Sequence, residues 1–254
     1  MPQVNIICFS LVHFPDFFRD MEPFLLNREE QLRKNRLVFS HLQSRFAAAH
    51  MGLRLFLAQQ VHKTDEWQDP ELLKTAASFS FAKGTFGKPK LKNSDHFAFN
   101  LSHSGDWAAL ATVEALNSAT QPEVGIDLEM VSMRSVMDLA KRFFSFREWQ
   151  SLYLCSDSAQ RNRLFTKLWT RKEACLKLWG TGIHTSLRSF EVLSVLPTGL
   201  TPEPLPFPQC LHLQSAEVIE DMYLSLALSF IPSSISFTLQ NWIDTPTTFN
   251  FALD

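Results

Sequence analysis

The sequence predicts an α+β fold made of two similar halves, and three observations carry that expectation. Apolar stretches of strand length, such as residues 4–12 (VNIICFSLV) and 124–131 (VGIDLEMV), are interspersed with longer segments of helical period. A polar, Pro-containing link at residues 115–123 (ALNSATQPE) has no hydrophobic periodicity, and a similar order of strands and helices lies on either side of it. The composition, 45% hydrophobic and 20% charged over 254 residues, suits an ordinary globular chain holding one large or two modest domains. The link puts the division near residue 119, giving halves 1–119 and 120–254. The two halves show no repeat at the level of sequence.

Taken in order, residues 4–12 read as a strand and residues 27–60 as one or two helices rich in Arg and Leu. The clearer helix is SRFAAAHMGLRLFLAQ, in which Arg45 precedes an apolar stripe of Ala48, Met51, Leu55 and Ala58. In FAKGTFGKPKL, Gly84, Gly87 and Pro89 mark a loop surrounded by Lys83, Lys88, Lys90 and Lys92. FNLSHSGDWAALATV reads as a turn leading into a strand, and Ser102, His103 and Ser104 there offer two hydroxyls and an imidazole. On residues alone, the lysines suit a solvated turn and the histidine a satisfied structural role.

Beyond the link, VGIDLEMV reads as a strand and MDLAKRFFSFREWQSLY as a helix with Phe143, Phe144 and Trp149 as its large apolar groups. Residues 164–182 (LFTKLWTRKEACLKLWGTG) read as an amphipathic helix. Its stripe is Leu164, Leu168, Cys175 and Trp179, widened by Phe165 and Leu176, with Gly180 and Gly182 placed to end it. Residues 189–196 read as a strand and PTGLTPEPLPFPQ as a Pro-rich loop. CLHLQSAEVI, MYLSLALSF and SISFTLQNWI then read as framework strands.

Two of these segments carry chemistry. Trp169, Glu173 and Lys177 stand at i, i+4 and i+8, which puts an acid and a base on a face separate from the apolar stripe. Alone, that pair reads as an exposed ion pair. In the strand 124–131, Asp127 and Glu129 are two residues apart, so both carboxylates point to one side. Like charges so close repel, and a hard divalent cation such as Mg²⁺ gives them a reason to be together. A wet acidic strand face is the plainer alternative.

Together, GIDLE and WTRKEACLK resemble the paired signature of the 4′-phosphopantetheinyl transferases, G-[IV]-D-x-E and W-[ST]-x-K-E-[AS]-x-x-K. Every fixed position is filled, by Gly125, Ile126, Asp127 and Glu129 and by Trp169, Thr170, Lys172, Glu173, Ala174 and Lys177. The length and the additional N-terminal half resemble the Sfp-type branch. The resemblance implies a pseudo-dimeric fold with its active site in the cleft between the halves, the metal site and catalytic helix lying in the second. It implies transfer of the phosphopantetheine arm of coenzyme A to a serine of an apo acyl or peptidyl carrier protein, with release of adenosine 3′,5′-bisphosphate. Asp127, Glu129 and Glu173 are then expected to hold Mg²⁺, with Mn²⁺ as the alternative. Asp127, Glu173 and Lys177 are the expected catalytic groups. Lys177 is also expected on the phosphates, and Glu173 to take the serine proton directly or through a metal-bound water.

Arg45, Lys88, Ser102 and His103 are expected at the nucleotide end, with the backbone of Gly87-Lys88-Pro89 along the adenine. Arg28, Arg33 and Lys34 are nearby basic candidates, and residues 141–145 (KRFFS) resemble a segment near the carrier-docking cleft. Two other readings remain open at this level: a Mg²⁺-dependent nuclease or phosphohydrolase, and a non-catalytic relative that binds carrier proteins.

Composition narrows the field further. Residues 1–188 hold all 24 basic and 19 of the 26 acidic residues, a net of about +5, while the remainder carries seven acids and no base. A mildly basic front suits a polyanionic ligand and is too diffuse for nucleic acid. No stretch is long and apolar enough to span a bilayer, and no cationic segment precedes an apolar core at the start. Cys8, Cys155, Cys175 and Cys210 are scattered without C-x-x-C spacing, which fits a reduced cytoplasm. A monomer is expected, since duplicated halves form the cleft within one chain.

Overall fold

The structure, a computed structural model, describes residues 2–64, 66–92, 97–114, 122–131, 135–194, 210–242 and 247–250, with residues 183 and 247–250 described by their backbone alone. The first half runs β1 (Gln3–Ser10), α1 (Asp16–Asp20), α2 (Glu22–Leu25), α3 (Arg28–Asn35), α4 (Ser40–His62), α5 (Pro70–Ser78), β2 (Phe81–Lys83), β3 (Pro89–Leu91), β4 (Phe97–Ser104) and β5 (Trp107–Glu114). The second runs β6 (Val124–Met130), α6 (Met137–Phe143), α7 (Phe146–Tyr153), α8 (Ser158–Trp179), β7 (His212–Ile219), β8 (Met222–Leu228), β9 (Ser234–Gln240) and β10 (Thr247–Asn250). This is the α+β architecture that the sequence predicts.

Helix boundaries follow local chemistry. Asn27 opens α3 through a capping box, its Oδ1 accepting from Glu30 N at 3.0 Å while Asn27 N donates to Glu30 Oε2 at 3.0 Å. Asp157 caps α8 by accepting from Gln160 N at 2.6 Å, and Gly180 closes it at φ +70°. The segment 137–153 differs from the single helix expected of it. Phe144 is extended, and Ser145 starts a new capping box with Glu148, so α6 and α7 are separate. The S-x-x-E spacing of SFRE is the cause.

Two loop expectations are also corrected. FAKGTFGKPKL is a hairpin, with Phe81↔Leu91 and Lys83↔Pro89 in register around a turn in which Gly87 adopts φ +93°. FNLSHS is itself strand β4, paired with β5 around Gly105-Asp106. The expected strand at 189–196 is absent over its described part, where a turn of 3-10 helix at Leu187–Ser189 leads only to an isolated bridge at Glu191. The backbone carbonyls there are taken by side chains of α8 instead. Lys172 donates to Leu187 O and Phe190 O, and Arg171 donates to Val192 O and Ser194 O. The Pro-rich loop 197–209 and residues 115–121 lie outside the described residues.

The strands form a five-stranded sheet in the order β10-β9-β1-β5-β4 and a three-stranded sheet in the order β6-β8-β7, beside the β2-β3 hairpin. β9 runs parallel to β1, so the first sheet draws strands from both sides of residue 119. Alternation along β1 builds the layers. Phe9 faces α4, where Ala48, Met51, Leu55 and Phe56 bury the helix stripe. Val4, Ile6 and Cys8 face the opposite way, onto Ile126, Leu128, Leu224 and Leu226 of the smaller sheet. On the far side of that sheet lies α8, with Leu168, Cys175, Leu176 and Leu178 buried. The order of layers is therefore α4, large sheet, small sheet, α8. Among the described residues no helix is long and apolar enough to cross a membrane.

The contact of α8 with β6 is closest at Gly125. A Cβ there would lie 2.0 Å from Ala174 O and 2.3 Å from Leu178 N, both backbone atoms that cannot step aside. Gly125→Ala is therefore expected to push the helix off the strand and cost about 3 kcal/mol or more. Urea unfolding measures it, and a loss below about 0.5 kcal/mol would mean that the contact is soft.

Candidate active site

Asp127 and Glu129 are on the face of β6 that looks toward α8, as their two-residue spacing predicts. Asp127 is 4% exposed. Its Oδ1 accepts from Lys177 Nζ at 2.7 Å and from Ser102 Oγ at 2.9 Å, while its Oδ2 is buried without a hydrogen-bond partner. Burial holds this carboxyl above the ordinary carboxylate range, against the opposing pull of Lys177 and Ser102. Glu129 Oε2 accepts from Ser104 Oγ at 2.8 Å. Burial and then the charge on Asp127 raise the proton affinity of Glu173 on α8, and Lys177 opposes them. Glu129 is raised chiefly by burial, with Asp127 adding to it.

These three acids therefore sense one another across the strand–helix contact. Among the described residues no three His, Cys, Asp or Glu side chains form a ready-made cation cage. The donor set nonetheless suits a hard divalent cation. A buried carboxylate oxygen has no partner, and the neighbouring carboxylates repel one another.

Alternation along β4 separates two residues expected to act together. Ser102 faces the small sheet, and its hydroxyl sits between Lys177 Nζ (2.7 Å) and Asp127, buried and fully engaged. His103 points the other way and is exposed. Partial desolvation holds its imidazole below the ordinary histidine value, with the positive charge of Lys177 adding to the shift. Arg45 lies within the first turns of α4, ahead of its apolar stripe, and its guanidinium pairs with Asp106 in the β4–β5 turn. Arg45 Nε is buried without a partner. Arg33 stacks over Phe46, 5.3 Å from the ring centroid, and Lys34 pairs with Glu22.

Lys88 has a different set of partners from those of a free phosphate ligand. Its Nζ donates to Glu123 Oε2 at 2.6 Å, Val124 O at 2.9 Å and Leu178 O at 3.2 Å. It thereby ties the Gly87-Lys88-Pro89 turn to the start of β6 and to the C-terminal end of α8, where a cation meets the helix dipole favourably. Burial lowers its proton affinity, and Glu123 restores part of it.

The second half of this arrangement matches a known family. Residues 123–227 fit the family model described as the 4'-phosphopantetheinyl transferase superfamily. HetI of Nostoc sp., a 4'-phosphopantetheinyl transferase, is 36% identical over 179 residues, covering 68% of this chain and 66% of its own. The chain belongs to the 4′-phosphopantetheinyl transferase superfamily. Sfp of Bacillus subtilis is 37% identical over 112 residues, 44% of this chain and 46% of its own. The L-aminoadipate-semialdehyde dehydrogenase-phosphopantetheinyl transferase of Saccharomyces cerevisiae is 34% identical over 122 residues, 46% of this chain and 44% of its own. Matches to several curated relatives span only 41–60% of their lengths.

Within the superfamily motif on α8, the structure separates framework from chemistry. Trp169 packs against Phe165, Phe144 and Phe143 at centroid distances of 5.8, 6.3 and 5.9 Å. The Thr170 hydroxyl meets Ser225 Oγ at 2.7 Å. Ala174 offers the carbonyl against which Gly125 packs. Lys172 and Glu148 form a fully buried ion pair at 2.9 Å. Glu173 and Lys177 are half-buried beside Asp127. Sequence reasoning assigned no role to Glu148, Ser104 or Asn100. The alternation of Asn100, Ser102 and Ser104 was the available signal for the last two.

Proposed function

We propose that the protein transfers the 4′-phosphopantetheine arm of coenzyme A to a serine hydroxyl of an apo acyl or peptidyl carrier protein. The observation that carries this reading is the meeting of Asp127 and Glu129 on β6 with Glu173 and Lys177 on α8, each at its motif position. Asp127, Glu129 and Glu173 would hold Mg²⁺, with Mn²⁺ as an alternative. When bound, the cation supplies charge neutralisation for the pyrophosphate.

The serine oxygen forms its bond to the β-phosphorus of coenzyme A as the bond from that phosphorus to the bridging oxygen breaks. Adenosine 3′,5′-bisphosphate leaves with the electron pair. Glu173, whose proton affinity is raised by burial and by Asp127, accepts the serine proton. Lys177 brings positive charge to the phosphoryl oxygens one helical turn away. His103 and Arg45, in the first half, receive the nucleotide phosphates. Lys88 holds the turn that the adenine lies along. Four free cysteines support a reducing, cytoplasmic setting, and the bonding of β4 side chains to β6 within one chain supports a monomer.

The test is to incubate the protein with coenzyme A and Mg²⁺, with and without apo carrier protein, and to measure adenosine 3′,5′-bisphosphate. Release only with the carrier is expected. Release without any acceptor would instead make the protein a phosphohydrolase. Lys177→Ala is expected to lower kcat/KM by about 10²-fold. An unchanged value would return Lys177 to a purely structural ion pair with Asp127.

A further inference from the structure

β4 ends one edge of the large sheet and β6 one edge of the small sheet, and side chains of the first bond to the backbone of the second. Asn100 Oδ1 accepts from Ile126 N at 2.8 Å, Ser102 Oγ from Leu128 N at 3.3 Å and Ser104 Oγ from Met130 N at 3.2 Å. The rungs advance two residues at a time along both strands, so their register is fixed as in a sheet although the acceptors are side chains. Each serine repeats one further act. Ser102 donates to Asp127, the residue before its backbone partner, and Ser104 donates to Glu129, the residue before its own. At the first rung the corresponding residue is Gly125, which has no side chain to receive.

We propose that Asn100, Ser102 and Ser104 form a side-chain ladder that joins the halves and aims the two carboxylates of β6, with Ser104 the positioning residue for Glu129. Each hydroxyl occupies one carboxylate oxygen, turns the side chain about its own axis and directs the second oxygen away from the seam. The rotor freedom of a glutamate on an edge strand is removed before any ligand arrives. The inference rests on the reading of Asp127 and Glu129 as cation ligands, and its test separates the two ideas.

The probe is Mn²⁺, titrated into the full chain saturated with coenzyme A and read by the electron paramagnetic resonance of the free ion. The parent is compared with Ser104→Ala and with Ser104→Thr, which keeps the hydroxyl. Ser104→Ala is expected to weaken Mn²⁺ binding by about tenfold or more. Ser104→Thr is expected to stay close to the parent, and the affinity for coenzyme A without metal to be the same in all three. Equal Mn²⁺ affinity in parent and Ser104→Ala would overturn the ladder alone. Equal loss in the alanine and threonine variants would also overturn it, because the hydroxyl would then not be the cause. A parent that binds no Mn²⁺ would remove the cation reading itself, and the ladder's purpose with it.

Discussion

Asp127→Asn is expected to lose transfer activity by at least about 10²-fold and at the same time to unfold at a higher temperature than the parent at pH 8. The two effects have one cause. Asp127 is almost fully buried, and its contacts with Lys177 and Ser102 fall short of the cost of desolvating its charge, which is why its proton affinity is raised. The asparagine keeps the carbonyl that accepts from Ser102 and Lys177 while removing that charge. The sign with pH follows. In the parent, the folded chain binds the Asp127 proton more tightly than the unfolded chain. Between the ordinary carboxylate value and the raised one, the folded state therefore holds the extra proton. Stability from this group is lost as pH rises through that window and recovered as pH falls. The gap in Tm between variant and parent should thus be widest at pH 8 and close on acidification. Calorimetry across pH 5–8 checks it. A variant less stable than the parent at every pH would show Asp127 to be a stabilising partner of Lys177.

Lys172→Met should be the most destabilising change on α8, at about 3–5 kcal/mol. Lys172 and Glu148 are both 0% exposed. Lys172 also donates to the carbonyls of Leu187 and Phe190, and its ammonium lies 4.5 Å from the centroid of the Phe190 ring. Removing the lysine strands a carboxylate that already holds Ser145 N and Val192 N. Lys172→Met combined with Glu148→Gln removes both charges and should recover a sizeable part of the loss, which a double-mutant cycle in urea measures. Equal stability of the single and double variants would show that no charge is stranded. Lys172 meets Glu148, Leu187, Phe190 and the Phe144 ring rather than Asp127 or Glu129, so reduced activity in the single variant should track the loss of folded protein.

The chemistry of the candidate site was more legible in the sequence than its support. Period two places Asp127 and Glu129 together, and period 3.6 places Glu173 beside Lys177, because both rules follow from backbone geometry alone. Neither rule reports depth. Lys172, four residues from both Leu168 and Leu176, falls within the apolar stripe of the helical wheel and Lys177 falls outside it, but the wheel names no partner: one is sealed against Glu148 from 24 positions upstream and the other meets Asp127. The pairing of β9 with β1 spans most of the chain and leaves no local mark. Residues 189–194 have the composition of a strand, but their carbonyls are consumed by Lys172 and Arg171 and no ladder forms. The roles of Ser102 and His103 separate for a simple reason. Neighbours on a strand face opposite ways, and a shared tripeptide motif conceals it.

Intact-mass spectrometry of apo carrier proteins, incubated with the protein, coenzyme A and Mg²⁺, tests the central claim most directly. A gain of one phosphopantetheine on a carrier serine is expected, abolished by EDTA and by Asp127→Asn. Carriers that keep their apo mass across acyl and peptidyl types, with a protein that binds neither coenzyme A nor the carriers, would contradict it.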